Sequence, residues 1–208
     1  HQKRFIANAS HQLRTPLAVL KTQLQSGQRG DVPPETTMEE MSVTVERTIK
    51  LANQMLLLAK IEQQRSLGPH ERCHLDKLAR AAVLELSPLI AEKNLDFEIT
   101  GEEAQFMGNA WLVGELLRNL LSNAMKFTDK GEVRLEVSTL LPLPSGQARL
   151  LFVVSDAGLG IPDEKLGLVC APFVQVSSDF TRSHQGAGLG LSIARKLIDA
   201  MGGTLAFE

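Results

Sequence analysis

The sequence predicts an α+β protein in two parts: an N-terminal helical hairpin that forms a dimeric four-helix bundle, and a C-terminal α/β sandwich. Two long N-terminal stretches space their apolar residues by three and four, which is typical of amphipathic helices. From Cys73 onward, helix-like and strand-like segments alternate, which favours a sheet with helices on one side. Because a lone hairpin cannot cover its apolar stripe, we expect a second copy to cover it; the alternative is that the downstream domain does so.

Composition and charge exclude several classes of protein. Hydrophobic residues make up 43% and charged residues 22% of the 208 positions, as in ordinary globular domains, and the net charge of −2 gives no indication of a nucleic-acid partner. Two cysteines, Cys73 and Cys170, are too few for a disulfide framework, so a reducing compartment fits best. No apolar run approaches the roughly 18 residues of a membrane span.

The first predicted helix, residues 1–27, holds a histidine away from its apolar stripe. The stripe consists of Ile6, Ala9, Leu13, Leu17, Leu20 and Leu24. At about 100° per residue, His11 lies roughly 160° from the centre of this stripe, among short side chains. An imidazole in this position is presented to an incoming molecule; the alternative is a surface histidine without function. Pro16 is expected to kink the helix.

A second helix is predicted over about residues 36–65, after a loop rich in glycine and proline. The two helices define a hairpin domain at residues 1–66, and residues 67–72 are predicted to be a polar linker. The second domain then covers residues 73–208. Cys73 lies between His70 and His74, but this spacing matches no standard metal site.

The second domain is predicted to contain three helices and four strands. The helices are predicted at residues 75–93, with a break or kink at Pro88, and at 110–127 and 189–201. The strands are predicted at 95–100, 105–108, 132–141 and 148–155, with the last two forming a hairpin. After Gly202 and Gly203 a further strand is predicted to begin. We therefore expect a fragment of a longer protein whose C-terminal strand is truncated.

The helix at 110–127 carries polar residues on one face of an otherwise apolar helix. Asn119, Asn123 and Lys126 lie at positions i, i+4 and i+7. Amide oxygens are acceptable ligands for a divalent cation, and an ammonium suits phosphate as a point charge. A solvated polar face is the alternative interpretation.

The next motif, Asp156-Ala-Gly158-Leu-Gly160, directly follows a hydrophobic strand. The glycines allow the backbone to approach a flat ligand closely, and a carboxylate at the end of a strand can accept a hydrogen bond from an exocyclic amine. Taken alone this pattern is common, since many strands end in a glycine turn.

A second glycine motif, at Gly186, Gly188 and Gly190, opens a helix, where backbone N–H groups favour an anion. No strand precedes it, which excludes a dinucleotide-binding unit, and no Gly-Lys-Ser or Gly-Lys-Thr occurs. About two dozen residues without periodicity, which include Phe173, separate the two glycine motifs. A segment of this length favours a lid over a phosphate tail.

In this order and spacing, the motifs resemble the cytoplasmic core of a two-component sensor histidine kinase, over residues 1–208. The phosphoacceptor motif runs from Ser10 to Pro16 and the asparagine motif from Asn119 to Phe127; the glycine motifs and the segment around Phe173 complete the set. The letters HQLRTP are similar to one subgroup of the family. The resemblance implies a phosphotransfer hairpin joined to an ATP-binding domain of the histidine kinase and Hsp90-like type.

The resemblance implies autophosphorylation of His11. Gln12 beside it can orient the imidazole or a water molecule, and Gln12 and Thr15 would position a water molecule if the protein mainly dephosphorylates its regulator. The phosphoryl group would then pass to an aspartate in the receiver domain of a response regulator. The other implied partner is a second copy, bound through residues 1–66. The implied location is cytoplasmic, with an anchor in the bacterial inner membrane upstream of residue 1.

The resemblance further implies ATP and Mg²⁺ as cofactors. Asn119 and Asn123 would hold Mg²⁺, Lys126 would contact phosphate, and Asp156 would hydrogen-bond the adenine amino group. The remaining implied nucleotide-site residues are Phe127, Gly158, Gly160, Phe173, Gly186, Gly188 and Gly190.

Some positions depart from the family pattern. The family most often has an acid after the phosphohistidine, and Gln12 cannot accept the imidazole proton as a carboxylate would, so slower or differently assisted phosphorylation is expected. Phe127 replaces a common tyrosine, Cys170 a usual phenylalanine and Gln175 a frequent arginine. The alternative function is a catalytically weak nucleotide-binding dimerisation module that acts mainly as a regulator phosphatase or scaffold.

Overall fold

The computed structural model describes residues 2–63, 71–174 and 188–208, with side chains in the first helix described from His11 onward. The chain divides into two compact units, His1–Lys60 and Ile61–Glu208, and each is described by itself. The predicted boundaries at residues 66 and 73 remain a prediction. Residues 67–70 of the predicted linker lie outside the described residues, and Glu71 and Arg72 belong to a strand.

The N-terminal unit consists of two long antiparallel helices, α1 (Gln2–Arg29) and α2 (Pro34–Gln63), and the boundary after Lys60 falls in the last turn of α2. Near the loop that joins them, the side chain of Thr37 is buried at the position where Gly27 leaves room for it. Further from the loop, the Thr44 hydroxyl donates to Gln23 Oε1 at 3.2 Å. The helix α1 continues through Pro16, whose ring nitrogen has no hydrogen to donate to the preceding turn.

The C-terminal unit contains two small sheets and four helices among the described residues. The elements, in chain order, are β1 (Glu71–His74), α3 (Leu75–Lys93), β2 (Asp96–Gly101), β3 (Gln105–Gly108), α4 (Ala110–Phe127), β4 (Glu132–Leu140), β5 (Arg149–Asp156), α5 (Asp163–Leu166) and α6 (Gly190–Ala200). One sheet pairs β1 with β3, antiparallel. The other has the order β2-β4-β5, in which β2 and β4 are parallel and β4 and β5 form the antiparallel hairpin.

The hydrophobic core lies between one face of the larger sheet and the helices α3 and α4. Val133, Leu135 and Val137 alternate along β4 toward this core and are fully or almost fully buried, while the residues between them are exposed. Leu117 and Leu121 of α4 are completely buried against the same cluster. The apolar face of α4 therefore fixes the helix on the sheet, and its polar face is left toward the candidate site.

Three sequence-based expectations about this unit differ from the structure. No strand is predicted at residues 71–74, but Glu71 to His74 form β1. The partner strand is β3, with Cys73 opposite Phe106. The helix α3 runs from Leu75 to Lys93 without a break at Pro88. Residues 204–208 form no strand, because a strand requires a hydrogen-bonded neighbour and none of the described strands pairs with them.

Both cysteines are free thiols. Burial raises the pKa of the Cys73 thiol, and the negative charge of Glu71 raises it further. The Cys73 Sγ lies 3.5 Å from the carbonyl oxygen of Gly108 on the neighbouring strand. Cys73 is therefore a neutral packing residue in the smaller sheet.

Candidate nucleotide site and phosphoacceptor helix

The side chain of His11 is exposed on α1, and its neighbours Gln12 and Thr15 are exposed as well. The Thr15 hydroxyl donates to the carbonyl oxygen of His11 at 3.3 Å, within the helix. His11 lines a hollow of about 610 Å³ on one side of the hairpin, together with short residues such as Ala18. The imidazole is accessible from outside this unit, which is the condition that a phosphoacceptor must meet.

Asn119 and Asn123 use their amide nitrogens within their own helix. Asn119 Nδ2 donates to the carbonyl oxygen of Glu115 at 2.8 Å, and Asn123 Nδ2 donates to that of Asn119 at 2.9 Å. The oxygen is then the atom that each amide offers to a ligand. Both side chains are partly buried on α4, so their oxygens are held in fixed positions rather than dispersed in solvent.

The second glycine motif lies directly against this asparagine face. A Cβ atom placed on Gly190 would lie 2.5 Å from Asn123 Nδ2 and 2.8 Å from its Oδ1. Any side chain at this position would displace the amide, so glycine is required for the close approach. Gly190 is also the first residue of α6, and the backbone N–H groups at the start of a helix favour an anion. An amide oxygen and an anion-binding helix end therefore meet at one point.

The first glycine motif contacts the other end of α4. A Cβ atom on Gly158 would lie 2.7 Å from the carbonyl oxygen of Phe127, which explains why a glycine follows Asp156 at this spacing. The N–H of Gly158 donates to Asp156 Oδ1 at 2.9 Å, and the Asp156 side chain is exposed. This turn orients the carboxylate and leaves its second oxygen as an acceptor for a donor group on a ligand.

Two further predicted site residues, Lys126 and Phe173, lie next to the contacts made by the glycine motifs. Lys126 Nζ lies 4.8 Å from the ring centroid of Phe127, a cation–π distance. The N–H of Phe173 donates to the carbonyl oxygen of Gly188 at 3.0 Å, which joins a residue of the predicted lid to the second glycine motif. Residues 175–187, which are the second half of the predicted lid together with Gly186, lie outside the described residues, and Gln175 and Arg182 are among them.

A groove of about 2030 Å³ runs along this unit from the first glycine motif, and Asp156, Gly158 and Gly160 line one end of it. Asn119 and Asn123 are not among its lining residues in the described part of the chain, because the groove follows the side of α4 that carries Leu112, Leu116 and Leu120. The structure thus brings each glycine motif into contact with α4 at a different point, one at Asn123 and one at Phe127.

A divalent cation at this site would depend on neutral oxygen ligands. Among the described residues, no group of three or more histidine, cysteine, aspartate or glutamate side chains is placed to hold a metal ion. The amide oxygens of Asn119 and Asn123 fit a hard cation, and a bound polyphosphate would supply the negative charge that the protein ligands lack. The donor set therefore fits Mg²⁺ carried with a nucleotide.

Sequence reasoning missed one residue that fixes this region, the last-turn lysine of α3, Lys93. A basic residue in the last turn usually serves the dipole of its own helix. Here its ammonium contacts the end of α4 instead, at distances of 2.8 to 3.0 Å from three carbonyl oxygens. Only the tertiary arrangement of α3 and α4 reveals this contact.

Two protein families match this chain, one in each unit. Residues 1–64 match the His Kinase A (phospho-acceptor) domain, and residues 108–208 match the histidine kinase-, DNA gyrase B- and HSP90-like ATPase family. The chain belongs to the two-component sensor histidine kinases. The first family match lies in the N-terminal helical unit apart from its last residues, and the second lies in the α/β unit.

Individual relatives agree with this assignment. The sensor protein CutS of Streptomyces coelicolor is 33% identical over 210 residues, which cover 100% of this chain and 49% of CutS. The sensor histidine kinase AruS of Pseudomonas aeruginosa is 31% identical over 216 residues, covering 100% of this chain and 21% of AruS. The solved histidine kinase ThkA, in complex with the response regulator protein TrrA, shares the fold with a TM-score of 0.74, at 21% identity over 96% of this chain and 55% of ThkA.

The chain spans between 13% and 49% of the length of the first curated relatives that it matches. Among the described residues, no helix has both the length and the apolar character needed to cross a bilayer.

Proposed function

We propose that this chain transfers the γ-phosphoryl group of ATP to His11 and then to an aspartate of a response regulator. The observation that carries the proposal is the contact of Gly190 with Asn123. Two motifs that are 67 positions apart in the sequence meet there, and they combine an anion-binding helix end with an amide oxygen suited to a cation. A nucleotide triphosphate with its metal ion matches this combination.

The residues of the nucleotide site act by binding and orienting. Asp156 accepts a hydrogen bond from the adenine amino group, and its orientation is set by the N–H of Gly158. The N-terminus of α6 binds the phosphates, with Lys126 as a further positive charge. Asn119 and Asn123 would hold Mg²⁺, which when bound neutralises phosphate charge and thereby favours in-line transfer.

His11 is the nucleophile in the proposed reaction. An unprotonated ring nitrogen attacks the γ-phosphorus, the bond from that phosphorus to the bridging oxygen breaks, and ADP leaves. Gln12 orients the ring or a water molecule, since an amide cannot take up a proton at neutral pH. In the second step an oxygen of the regulator aspartate attacks the phosphorus, the N–P bond breaks, and neutral imidazole is restored.

The proposal that a response regulator accepts the phosphoryl group is based on a related kinase. The related kinase ThkA was solved in complex with the response regulator protein TrrA, and this chain shares the fold of ThkA. The exposed imidazole of His11 on a long helix gives a receiver domain access to the phosphoryl group. We infer the same class of partner here.

The N-terminal hairpin leaves an apolar face that supports a homodimer. The exposed large apolar residues of this face are Leu17, Leu24, Met38, Val45, Ile49 and Leu56. At about 100° per residue, the four on α2 fall within about 40° of one another, and the two on α1 fall within about 20°. In an antiparallel pair both stripes are displaced to the same side of the helix interface, so they form one continuous surface.

We expect Ile49→Glu to weaken the dimer at least about tenfold, because a carboxylate would be buried in an apolar interface without a partner. Ile49 is 54% exposed in the single chain. Val43→Glu is the matched control, since Val43 is 47% exposed but lies about 120° away on the same helix. Sedimentation equilibrium measures both. Equal dimerisation of the two variants would contradict this choice of surface.

The chemistry of the phosphorylated product tests the proposed function. The chain is incubated with γ-labelled ATP and Mg²⁺, and the labelled protein is then treated with acid or with base. A phosphoryl group on a ring nitrogen is lost in acid and retained in base, whereas a serine or threonine ester behaves in the opposite way. Retention of label through acid treatment would overturn the proposal, as would the absence of label from a chain that binds ATP.

A further inference from the structure

Lys93, in the last turn of α3, donates hydrogen bonds to carbonyl oxygens at the C-terminal end of α4. Lys93 Nζ donates to the carbonyl oxygens of Met125 at 3.0 Å, Lys126 at 2.8 Å and Thr128 at 2.9 Å. An ammonium has three N–H donors, and all three are used here. Asp129 adds a weaker ionic contact, with its Oδ1 3.8 Å from the same nitrogen.

These carbonyl groups belong to the part of a helix that lacks partners of its own. The last four carbonyls of a helix have no intrahelical donor, and the partial negative charge of the helix dipole is concentrated there. The Lys93 side chain is only 22% exposed, so water does not replace its contacts freely. The charge of Lys93 thus fixes the position of the helix end relative to α3.

The fixed segment is the one that meets the candidate nucleotide site. Lys126 supplies a carbonyl to Lys93 and carries the ammonium predicted to contact phosphate. The next carbonyl, that of Phe127, is the group against which Gly158 packs. A displacement of this segment would therefore move the turn that orients Asp156.

We propose that Lys93 is a positioning residue of the nucleotide site, which it acts on through the end of α4 without touching the nucleotide. The inference rests on the proposed function, in that the ligand is ATP with Mg²⁺. Lys93 holds the helix end in the position in which Lys126 and the Asp156 turn can bind one nucleotide together. Without it, the two ends of the nucleotide would no longer be bound in a single arrangement.

The test compares two variants that each remove an ionic contact between α3 and α4. Lys93→Met removes the three hydrogen bonds at the helix end and keeps the length of the side chain. Glu85→Gln is the matched control, because Glu85 on α3 pairs with Arg118 on α4 at 3.2 Å, in the middle of the helices. The affinity for ATP with Mg²⁺ is measured by calorimetric titration of the whole chain below its unfolding transition.

We expect Lys93→Met to weaken ATP binding at least about tenfold, and Glu85→Gln to change it less than about twofold. Lys93→Arg, which keeps the charge and several donors, is expected to recover part of the affinity. An unchanged affinity in folded Lys93→Met would overturn the inference. An equal loss in Glu85→Gln would also overturn it, because any weakening of helix packing would then suffice.

A second measurement covers the case in which Lys93→Met does not fold. Acylation of lysines in the wild-type chain is followed by mass spectrometry with and without ATP and Mg²⁺. Because coupling between two sites is reciprocal, bound nucleotide should slow acylation of Lys93 but not that of the exposed Lys77 on the same helix. Equal rates at Lys93 with and without nucleotide would overturn the inference. A wild-type chain that binds no ATP would overturn the proposed function, and this inference with it.

Discussion

Replacement of His11 with glutamine is expected to remove all phosphoryl label from the chain while ATP binding remains unchanged. Glutamine keeps a polar side chain of similar size but has no nucleophilic ring nitrogen, so the reaction has no acceptor. His11 is exposed and belongs to the N-terminal unit, so its loss leaves the packing of the nucleotide site intact. The measurement is incorporation of label from γ-labelled ATP, with ATP affinity determined on the same preparation.

His74→Gln serves as the control for this variant, because His74 is a histidine of the C-terminal unit at the end of β1. It should retain full labelling. Label that persists in His11→Gln would show that another residue accepts the phosphoryl group. Label that disappears from both variants would point to a general loss of the fold, which circular dichroism distinguishes.

Gly190→Ala is expected to reduce His11 labelling by about 100-fold, because misplacement of a group in a phosphoryl-transfer site by about 1 Å can cost this much. The new Cβ would lie 2.5 Å from Asn123 Nδ2. The end of a side chain can move out of the way, so the fold should survive. The amide would nevertheless lose its hydrogen bond to the carbonyl of Asn119, and its oxygen would leave the candidate metal position. Labelling rate and ATP affinity measure the effect.

Gly167→Ala is the matched control, since a Cβ on Gly167 meets nothing within 4 Å and its φ of −66° suits any residue. A double-mutant cycle sharpens the test. If Gly190→Ala acts only by displacing the amide, then adding it to Asn123→Ala should cause no further loss. A further loss of similar size in the Asn123→Ala background would contradict the proposed contact. A Gly190→Ala chain with full activity would remove the observation that carries the proposed function.

The long helices and the strand hairpin could be predicted from sequence because their signals are local. The ranges of α3, β3 and α4 agree with the predicted ranges, since apolar periodicity and flanking glycine or asparagine residues mark them directly. The strand β1 could not be predicted in this way. Its four residues do not alternate in hydrophobicity, and they become a strand only because β3 lies beside them.

For the candidate site too, some features could be predicted from the sequence and others appear only in the structure. The asparagine and glycine residues stood out in the sequence because polar groups on an apolar helix and glycines at helix starts demand a physical explanation. Which glycine meets which part of α4 could not be inferred, because the pairing depends on how α6 and the Asp156 turn pack on that helix. Lys93 gave no signal, because a lysine at the end of a helix is ordinary.

By itself, therefore, the sequence determined the two-part α+β architecture, the exposed position of His11 on an amphipathic helix and the family to which the motifs belong. These features follow from spacing along the chain, which fixes the faces of each helix and strand. Only the tertiary structure decided that Gly190 lies against Asn123, that Gly158 lies against the Phe127 carbonyl and that Lys93 holds the end of α4. Such contacts join residues far apart in the chain, and their distances are set by packing between elements, which no local pattern encodes.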